Sequence, residues 1–248
     1  MSNILGIIPA RYASTRFPAK ALIEVAGKSM IQRVYDQAKK ASSLAEVVVA
    51  TDHREIFNHV NQFGGKVCMT SDSHISGTDR CYEALSLQKE SFDYVINIQG
   101  DEPFIHPDQI NLLTTCLTGD TEIATLAKQI EDHEQLENVN VVKVVFSLSN
   151  QALLFSRSPI PYLRNIPKKD WLSAYTFYKH IGMYAYRSDV LRKLTELPVS
   201  SLEKAEALEQ LRWLENGFII KVIETKQETI GIDTPDDLQK ALAFLKNQ

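Results

Sequence analysis

Ile4-Leu5-Gly6-Ile7-Ile8-Pro9-Ala10-Arg11-Tyr12-Ala13-Ser14-Thr15-Arg16-Phe17-Pro18-Ala19-Lys20 is the stretch on which the reading of this chain turns. The apolar run 4–8 has the length and bulk of a strand buried on both faces. Pro9 is expected to end it, and an extended loop carrying Arg11, Arg16 and Lys20 follows. A loop opening at the carboxyl end of a first strand lies where doubly wound sheets bind ligands. Three cations and a run of backbone N–H groups suit a polyphosphate. On composition alone a solvated basic loop explains the same residues, and only their order separates the two readings.

The 248 residues suffice for one large domain with a full core, here 1–248 with a less regular lobe at about 150–215. Lys and Arg number 27 against 31 Asp and Glu, a net charge of −4, which gives no reason to expect a nucleic-acid partner. Cys68, Cys81 and Cys116 are odd in number and lack metal-ligand spacing, so they are expected to be reduced, buried thiols. No leader-like segment and no run long enough for a membrane span is present, and the expected location is cytoplasmic.

Strand and helix patterns alternate through the first half at βαβ intervals. Met30, Ile31, Val34, Tyr35, Ala38 and Ala41 recur at helical spacing, with Ser29 and Gln32 as a capping box. Strands are expected at 46–50, 66–69 and 94–98, and helices at 54–62, 79–88 and 107–117. Right-handed crossovers between parallel strands then give an α/β three-layer sandwich. In the second half 141–147, 182–186 and 218–224 read as strands, and 201–216 as a single helix with Leu202, Ala205, Leu208 and Leu211 along one side. Thr234 and Pro235 form an N-cap and first-turn pair.

Asp101 follows a buried strand beside Gly100, and Asp233 precedes the capped last helix. Two carboxylates over a polyphosphate suit Mg²⁺, which takes oxygen ligands. Either Asp alone reads better as a turn or cap residue, Asp233 above all, and only together with the basic loop does the metal reading lead. Ser76-Gly77-Thr78-Asp79-Arg80 opens a helix whose free N–H groups suit an anion, or is an ordinary cap at Thr78. No Gly-x-Gly-x-x-Gly and no P-loop pattern is present. Arg157, His180, Tyr184, Glu209 and Gln210 are spread over the second half, and no Ser/His/Asp or Cys/His signature marks a covalent nucleophile.

The order Pro9-Ala10-Arg11-Tyr12-Ala13-Ser14-Thr15-Arg16-Phe17-Pro18 with Lys20 resembles the signature loop of CMP-sugar synthetases, most closely the 3-deoxy-manno-octulosonate (Kdo) cytidylyltransferases. Further stretches resemble that family in order. They are Val48-Val49-Ala50-Thr51-Asp52-His53, Val67-Cys68-Met69-Thr70, Ser76 to Arg80, Gln99-Gly100-Asp101-Glu102-Pro103, Phe155-Ser156-Arg157, Lys179-His180-Ile181-Gly182, Leu208-Glu209-Gln210-Leu211-Arg212 and Gly231-Ile232-Asp233-Thr234-Pro235. The resemblance implies a Rossmann-like nucleotidyltransferase fold with a mostly parallel central sheet and an inserted dimerisation and sugar-binding lobe. It implies that CTP and Kdo give CMP-Kdo and pyrophosphate with Mg²⁺, for lipopolysaccharide synthesis, in a homodimer.

By the same resemblance Arg11, Lys20, Asp101 and Asp233 are catalytic, the two Asp as Mg²⁺ ligands. Pro9, Ala10, Arg11, Lys20, Ser76, Gly77, Thr78 and Arg80 bind the nucleotide. Gln99, Arg157, His180, Tyr184, Glu209 and Gln210 recognise the acid sugar, with Arg157 on its carboxylate. Ala19 stands where the family usually has Gly, so a slightly different path into Lys20 is expected, since Gly reaches positive φ more readily. Asp79 stands where the family usually has Glu. A cytidylyltransferase for another acid sugar, such as a sialic acid, and a non-catalytic nucleotide-binding subunit are the alternatives.

Overall fold

The computed structural model describes residues 2–13, 17–229, 231–232 and 234–246. The chain divides into two units, Met1–Thr114 with Thr229–Gln248, and Thr115–Glu228.

In the first unit β1 (Ile4–Ala10) is followed by a small hairpin, β2 (Glu24–Val25) and β3 (Lys28–Ser29). Then come α1 (Met30–Ala38), β4 (Glu46–Thr51), α2 (Arg54–Gln62), β5 (Val67–Met69), α3 (Gly77–Ser86), β6 (Tyr94–Asn97) and α4 (Pro107–Thr114). The C-terminal helix Pro235–Lys246 completes it. The strands pair in parallel in the order β6-β1-β4-β5. This is the α/β class with parallel strands expected from the alternating pattern.

Pro9 does not end β1, which runs on to Ala10 with Pro9 opposite Ala50 and Ala10 opposite Thr51. The reason is pairing: β6 covers only residues 4–7 of β1, and beyond them that side of the strand is an edge where proline is tolerated. In α1 the predicted stripe Met30, Ile31, Val34, Tyr35 and Ala38 is buried, and Ser29 Oγ accepts the Gln32 N–H at 3.3 Å. A cap is worth about 1 kcal/mol, and each large apolar side chain buried about 1.5–3 kcal/mol, so packing holds this helix. The helix α3 begins two residues earlier than expected. Ser76, not Thr78, caps it: Ser76 Oγ accepts the Asp79 N–H at 3.1 Å, and Asp79 Oδ2 accepts the Ser76 N–H at 3.3 Å. The shorter Asp79 therefore still closes a capping box. Thr234 caps the last helix, with reciprocal bonds to Asp237, as the Thr-Pro pair predicts.

The second unit contains β7 (Ile123–Gln129), α5 (His133–Glu137), β8 (Lys143–Phe146), β9 (Ala152–Ser156), α6 (Trp171–Ala174), β10 (Tyr178–Arg187), α7 (Ser188–Thr195), α8 (Ser201–Glu206), α9 (Glu209–Glu215) and β11 (Ile220–Glu224). β7 lies between β11, parallel to it, and β10, antiparallel; β8 pairs antiparallel with β10 and β9. Sequence reading missed β7, β9, α5, α6 and α7, and recognised only the latter half of β10. It also joined α8 and α9, which are separated where Ala207 takes φ 50° and Leu208 caps α9 in an extended conformation. Leu202 is 43% exposed while Leu208 and Leu211 are buried, so the apparent stripe is not one buried face. No disulfide joins the three cysteines, and only Cys81 is buried.

Candidate functional site

Two groups of residues emerge, one in each unit, and each is built by its own local structure. The first gathers at the carboxyl ends of β1 and β6. Ala19 N–H bonds Tyr12 O at 3.1 Å and closes the basic loop on itself. Ala19 adopts φ 54°, ψ 24°, so the chain enters the short 3-10 turn at Lys20 by the left-handed route a glycine would allow. The cost of a left-handed non-glycine residue, about 1–2 kcal/mol, is borne locally. The Tyr12 ring stacks on His53 at 3.7 Å between centroids, tying the loop to the start of α2. Arg11 is exposed and donates from Nη2 to Ile75 O at 2.7 Å. Arg16 lies outside the described residues.

Lys20 Nζ donates to Asp101 Oδ2 at 2.6 Å. Asp101 is held from both sides. A Cβ on Gly100 would stand 2.6 Å from Pro9 O, so only glycine lets the turn after β6 pass this close to β1. The Asp101 carbonyl accepts the Ile232 N–H at 2.9 Å, and Ile232 packs with Val25 and Met30. Asp233 itself lies outside the described residues, but its predecessor is bonded to Asp101. Beside Asp101, burial and that carboxylate push the Glu102 carboxyl up to about 8, and Glu102 Oε2 has no hydrogen-bond partner among the described residues. Among the described residues no group of three or more His, Cys, Asp or Glu side chains is disposed to hold a metal.

The start of α3 supplies the rest of this group. Pro9, Ser76 and Gly77 are partly exposed, whereas Ala10 and Thr78 are buried. Arg80 is fully buried, donating from Nη2 to Asp52 Oδ2 at 2.7 Å and from Nη1 to Thr70 Oγ1 at 2.6 Å. Its guanidinium therefore ties α3 to the ends of β4 and β5 and faces no solvent. Gln99 sits partly exposed between β6 and Gly100.

In the second unit, β10 carries His180 and Tyr184 across a register shift, with ring centroids 5.1 Å apart. Thr125 Oγ1 lies 2.9 Å from His180 Nε2, 3.2 Å from Ile181 O and 2.8 Å from Met183 O. The Thr125 hydroxyl thus ties the His180 ring to the β10 backbone at the register shift. Burial lowers the His180 pKa to about 3, keeping the ring neutral, and raises Tyr184 well above the ordinary tyrosine range. Tyr184 OH and Trp213 Nε1 are buried without hydrogen-bond partners among the described residues, and their rings meet edge to face at 5.0 Å. Arg157 donates from Nε to Glu206 O at 2.7 Å, from Nη1 to Val139 O at 3.0 Å and from Nη2 to Ala207 O at 3.3 Å. It thus secures the α8–α9 break, and two of its five N–H groups remain outside these bonds. Glu209 Oε1 accepts from Arg212 Nη2 at 2.9 Å, and Gln210 is buried.

Sequence reading missed Thr125, Asp52 and Asn97. Thr125 lay in an unrecognised strand, and Asp52 read as a strand end. Asn97 did carry a signal, being a polar residue inside an apolar run.

A family profile described as Cytidylyltransferase matches residues 5–230. The 3-deoxy-manno-octulosonate cytidylyltransferase of Parabacteroides distasonis is 58% identical over 253 residues, covering 100% of both chains. The protein of the same description from Bacteroides thetaiotaomicron is 58% identical, covering 99% of both. Among solved structures, a CMP:2-keto-3-deoxy-manno-octonic acid synthetase complexed with CTP superposes with a TM-score of 0.91 at 42% identity, over 99% of both chains. A 4-diphosphocytidyl-2C-methyl-D-erythritol synthase from Anaerococcus prevotii, at 15% identity and TM-score 0.65, shares the fold. The chain belongs to the cytidylyltransferase family, and within it to the 3-deoxy-manno-octulosonate cytidylyltransferases.

Proposed function

We propose that this enzyme transfers the cytidylyl group of CTP to Kdo, giving CMP-Kdo and pyrophosphate for lipopolysaccharide synthesis. The observation that carries the reading is the identity of 58% over the whole chain to a relative of that description. The anomeric hydroxyl oxygen attacks the α-phosphorus, the bond to the bridging oxygen of the leaving pyrophosphate breaks, and the hydroxyl proton passes to solvent water. Arg11 and Lys20 hold the triphosphate, and Lys20 offsets the charge that grows on it. Pro9, Ala10, Ser76, Gly77 and Thr78 form the nucleoside wall, and Arg80 acts behind it by fixing α3. Gln99, Arg157, His180, Tyr184, Glu209 and Gln210 recognise the sugar acid, Arg157 through donors not spent on the α8–α9 break.

Asp101 is a hard oxygen donor beside a phosphate-binding lysine, which fits Mg²⁺, since that ion uses one or two carboxylates and completes its shell with phosphate and water. Asp101 and Asp233 would hold it, and it would neutralise the triphosphate. A homodimer in the cytoplasm belongs to the same reading; no helix among the described residues is long and apolar enough to cross a membrane. Mass spectrometry of the enzyme incubated with CTP, Mg²⁺ and Kdo checks it. A sugar nucleotide of CMP-Kdo mass is expected, and CTP left intact would refute the reading.

A further inference from the structure

Asn97 is the last residue of β6 and is 5% exposed, yet its Oδ1 has no hydrogen-bond partner among the described residues. Buried amide oxygens are seldom left so, and a missing ligand is one of the few explanations available. The amide lies against the start of α3. A Cβ placed on Gly77 would lie 3.3 Å from Asn97 Nδ2, 4.0 Å from Asn97 Oδ1 and 3.8 Å from Pro9 Cγ. With no Cβ on Gly77, the start of α3 leaves a notch walled by Pro9 and floored by the Asn97 amide. Pro9 and Gly77 are partly exposed, so the notch opens outward.

The chemistry of the floor selects the occupant. An amide offers one acceptor and one donor edge, and its two orientations exchange them. A carbonyl or an amine satisfies only one edge in either orientation. A hydroxyl both donates and accepts, so it satisfies both edges whichever way the amide lies. We infer that Asn97 is a further specificity-determining residue, binding a ribose hydroxyl of the nucleotide in the notch beside Gly77 and so selecting ribonucleotides over deoxyribonucleotides. This rests on the nucleoside lying against Pro9 and Gly77, as in the proposed function. A site built around a hydroxyl rejects the analogue lacking it, because its own buried polar atoms are left unpaired.

The test measures kcat/KM by pyrophosphate release, with Kdo and Mg²⁺, for CTP, 2′-deoxy-CTP and 3′-deoxy-CTP. The unmodified enzyme is expected to favour CTP by about tenfold or more over one of the two analogues. In Asn97→Ala that ratio is expected to fall toward one, through loss on CTP and not gain on the analogue. An unchanged ratio in folded Asn97→Ala, or an equal loss on all three nucleotides, overturns the inference. Should Asn97→Ala fail to fold, Gly77→Ala decides: its methyl fills the notch and should lower the ratio, and an unchanged ratio again overturns the assignment. An unmodified enzyme that turns over CTP without preferring it to either analogue refutes the inference and leaves the proposed function standing. Failure with CTP itself refutes both.

Discussion

Lys20 Nζ stands 2.6 Å from Asp101 Oδ2, joining the basic loop after β1 to the turn after β6. The two side chains are 17% and 30% exposed, open enough for each to exchange its partner for a ligand. In the proposed reaction Lys20 would turn to phosphate oxygens, and Asp101 would be left to hold the metal. The pair thus holds both groups at one place before substrate arrives, and neither needs to be recruited from elsewhere.

Removing either member should cost turnover well beyond any loss of stability. A partly exposed ion pair contributes at most about 1 kcal/mol to folding, whereas losing one charge-stabilising group at a reacting centre costs roughly 10²–10³ in kcat. Lys20→Met and Asp101→Asn are each expected to show that loss in pyrophosphate release with a near-normal Tm. Normal kcat at saturating CTP and Mg²⁺ would remove the residue from the site.

Ala19 at φ 54° is a local strain that glycine would relieve. The left-handed conformation costs about 1–2 kcal/mol for a non-glycine residue, while glycine loses about 0.5–1 kcal/mol more in the unfolded chain than alanine does. Ala19→Gly should therefore be modestly stabilising, by about 0.5–1 kcal/mol in denaturant unfolding. A destabilised variant would mean that the loop does not pay this strain.

How much of this was legible in the sequence depended on whether local signals and tertiary pairing agreed. The α1 stripe and its Ser29 cap were readable because the buried face follows one helical period. Pro9 misled because the shortness of β6, which makes β1 an edge there, is a property of the sheet. The α8–α9 break was invisible because Ala207 has no local preference for positive φ; its neighbouring carbonyls are held by Arg157, some fifty residues away. β7 is rich in alanine and lacks alternation, and it is a strand because β10 and β11 pair with it. For the site, Lys20, Asp101 and Gly77 were named from motif order. The Thr125 contact to His180 and the Asn97 floor depend on pairings across strands that no spacing encodes.

Arg80 is a fully buried charge whose partner Asp52 keeps 13% of its side chain exposed, and breaking a buried pair costs up to about 3–5 kcal/mol, because the remaining ion is left without compensation. Arg80→Met should lower stability by that amount with Asp52 retained. Replacing both, as Asp52→Leu with Arg80→Met, should recover part of it. An Arg80→Met variant of normal Tm but raised KM for CTP would instead make Arg80 a direct nucleotide ligand.

The His180 pKa is lowered from an ordinary 6.5 to about 3 by burial. The folded ring stays neutral over that interval while the unfolded ring takes up a proton. His180 thus favours the folded state fully above pH 6.5, and this contribution falls as pH drops toward 3, by at most about 1.4 kcal/mol per pH unit. Between pH 7 and pH 5 the enzyme should lose roughly 2 kcal/mol more than His180→Gln does. Parallel losses in the two proteins would show that the ring is accessible to protons.

The decisive measurement is pyrophosphate release from CTP with Mg²⁺, run with Kdo, with a sialic acid and with no sugar. Release that requires Kdo, with the other two at background, is the predicted result. Release with the sialic acid in place of Kdo would contradict the sugar assignment. No release with either, from folded enzyme that binds CTP, would contradict the transferase reading and leave a nucleotide-binding subunit.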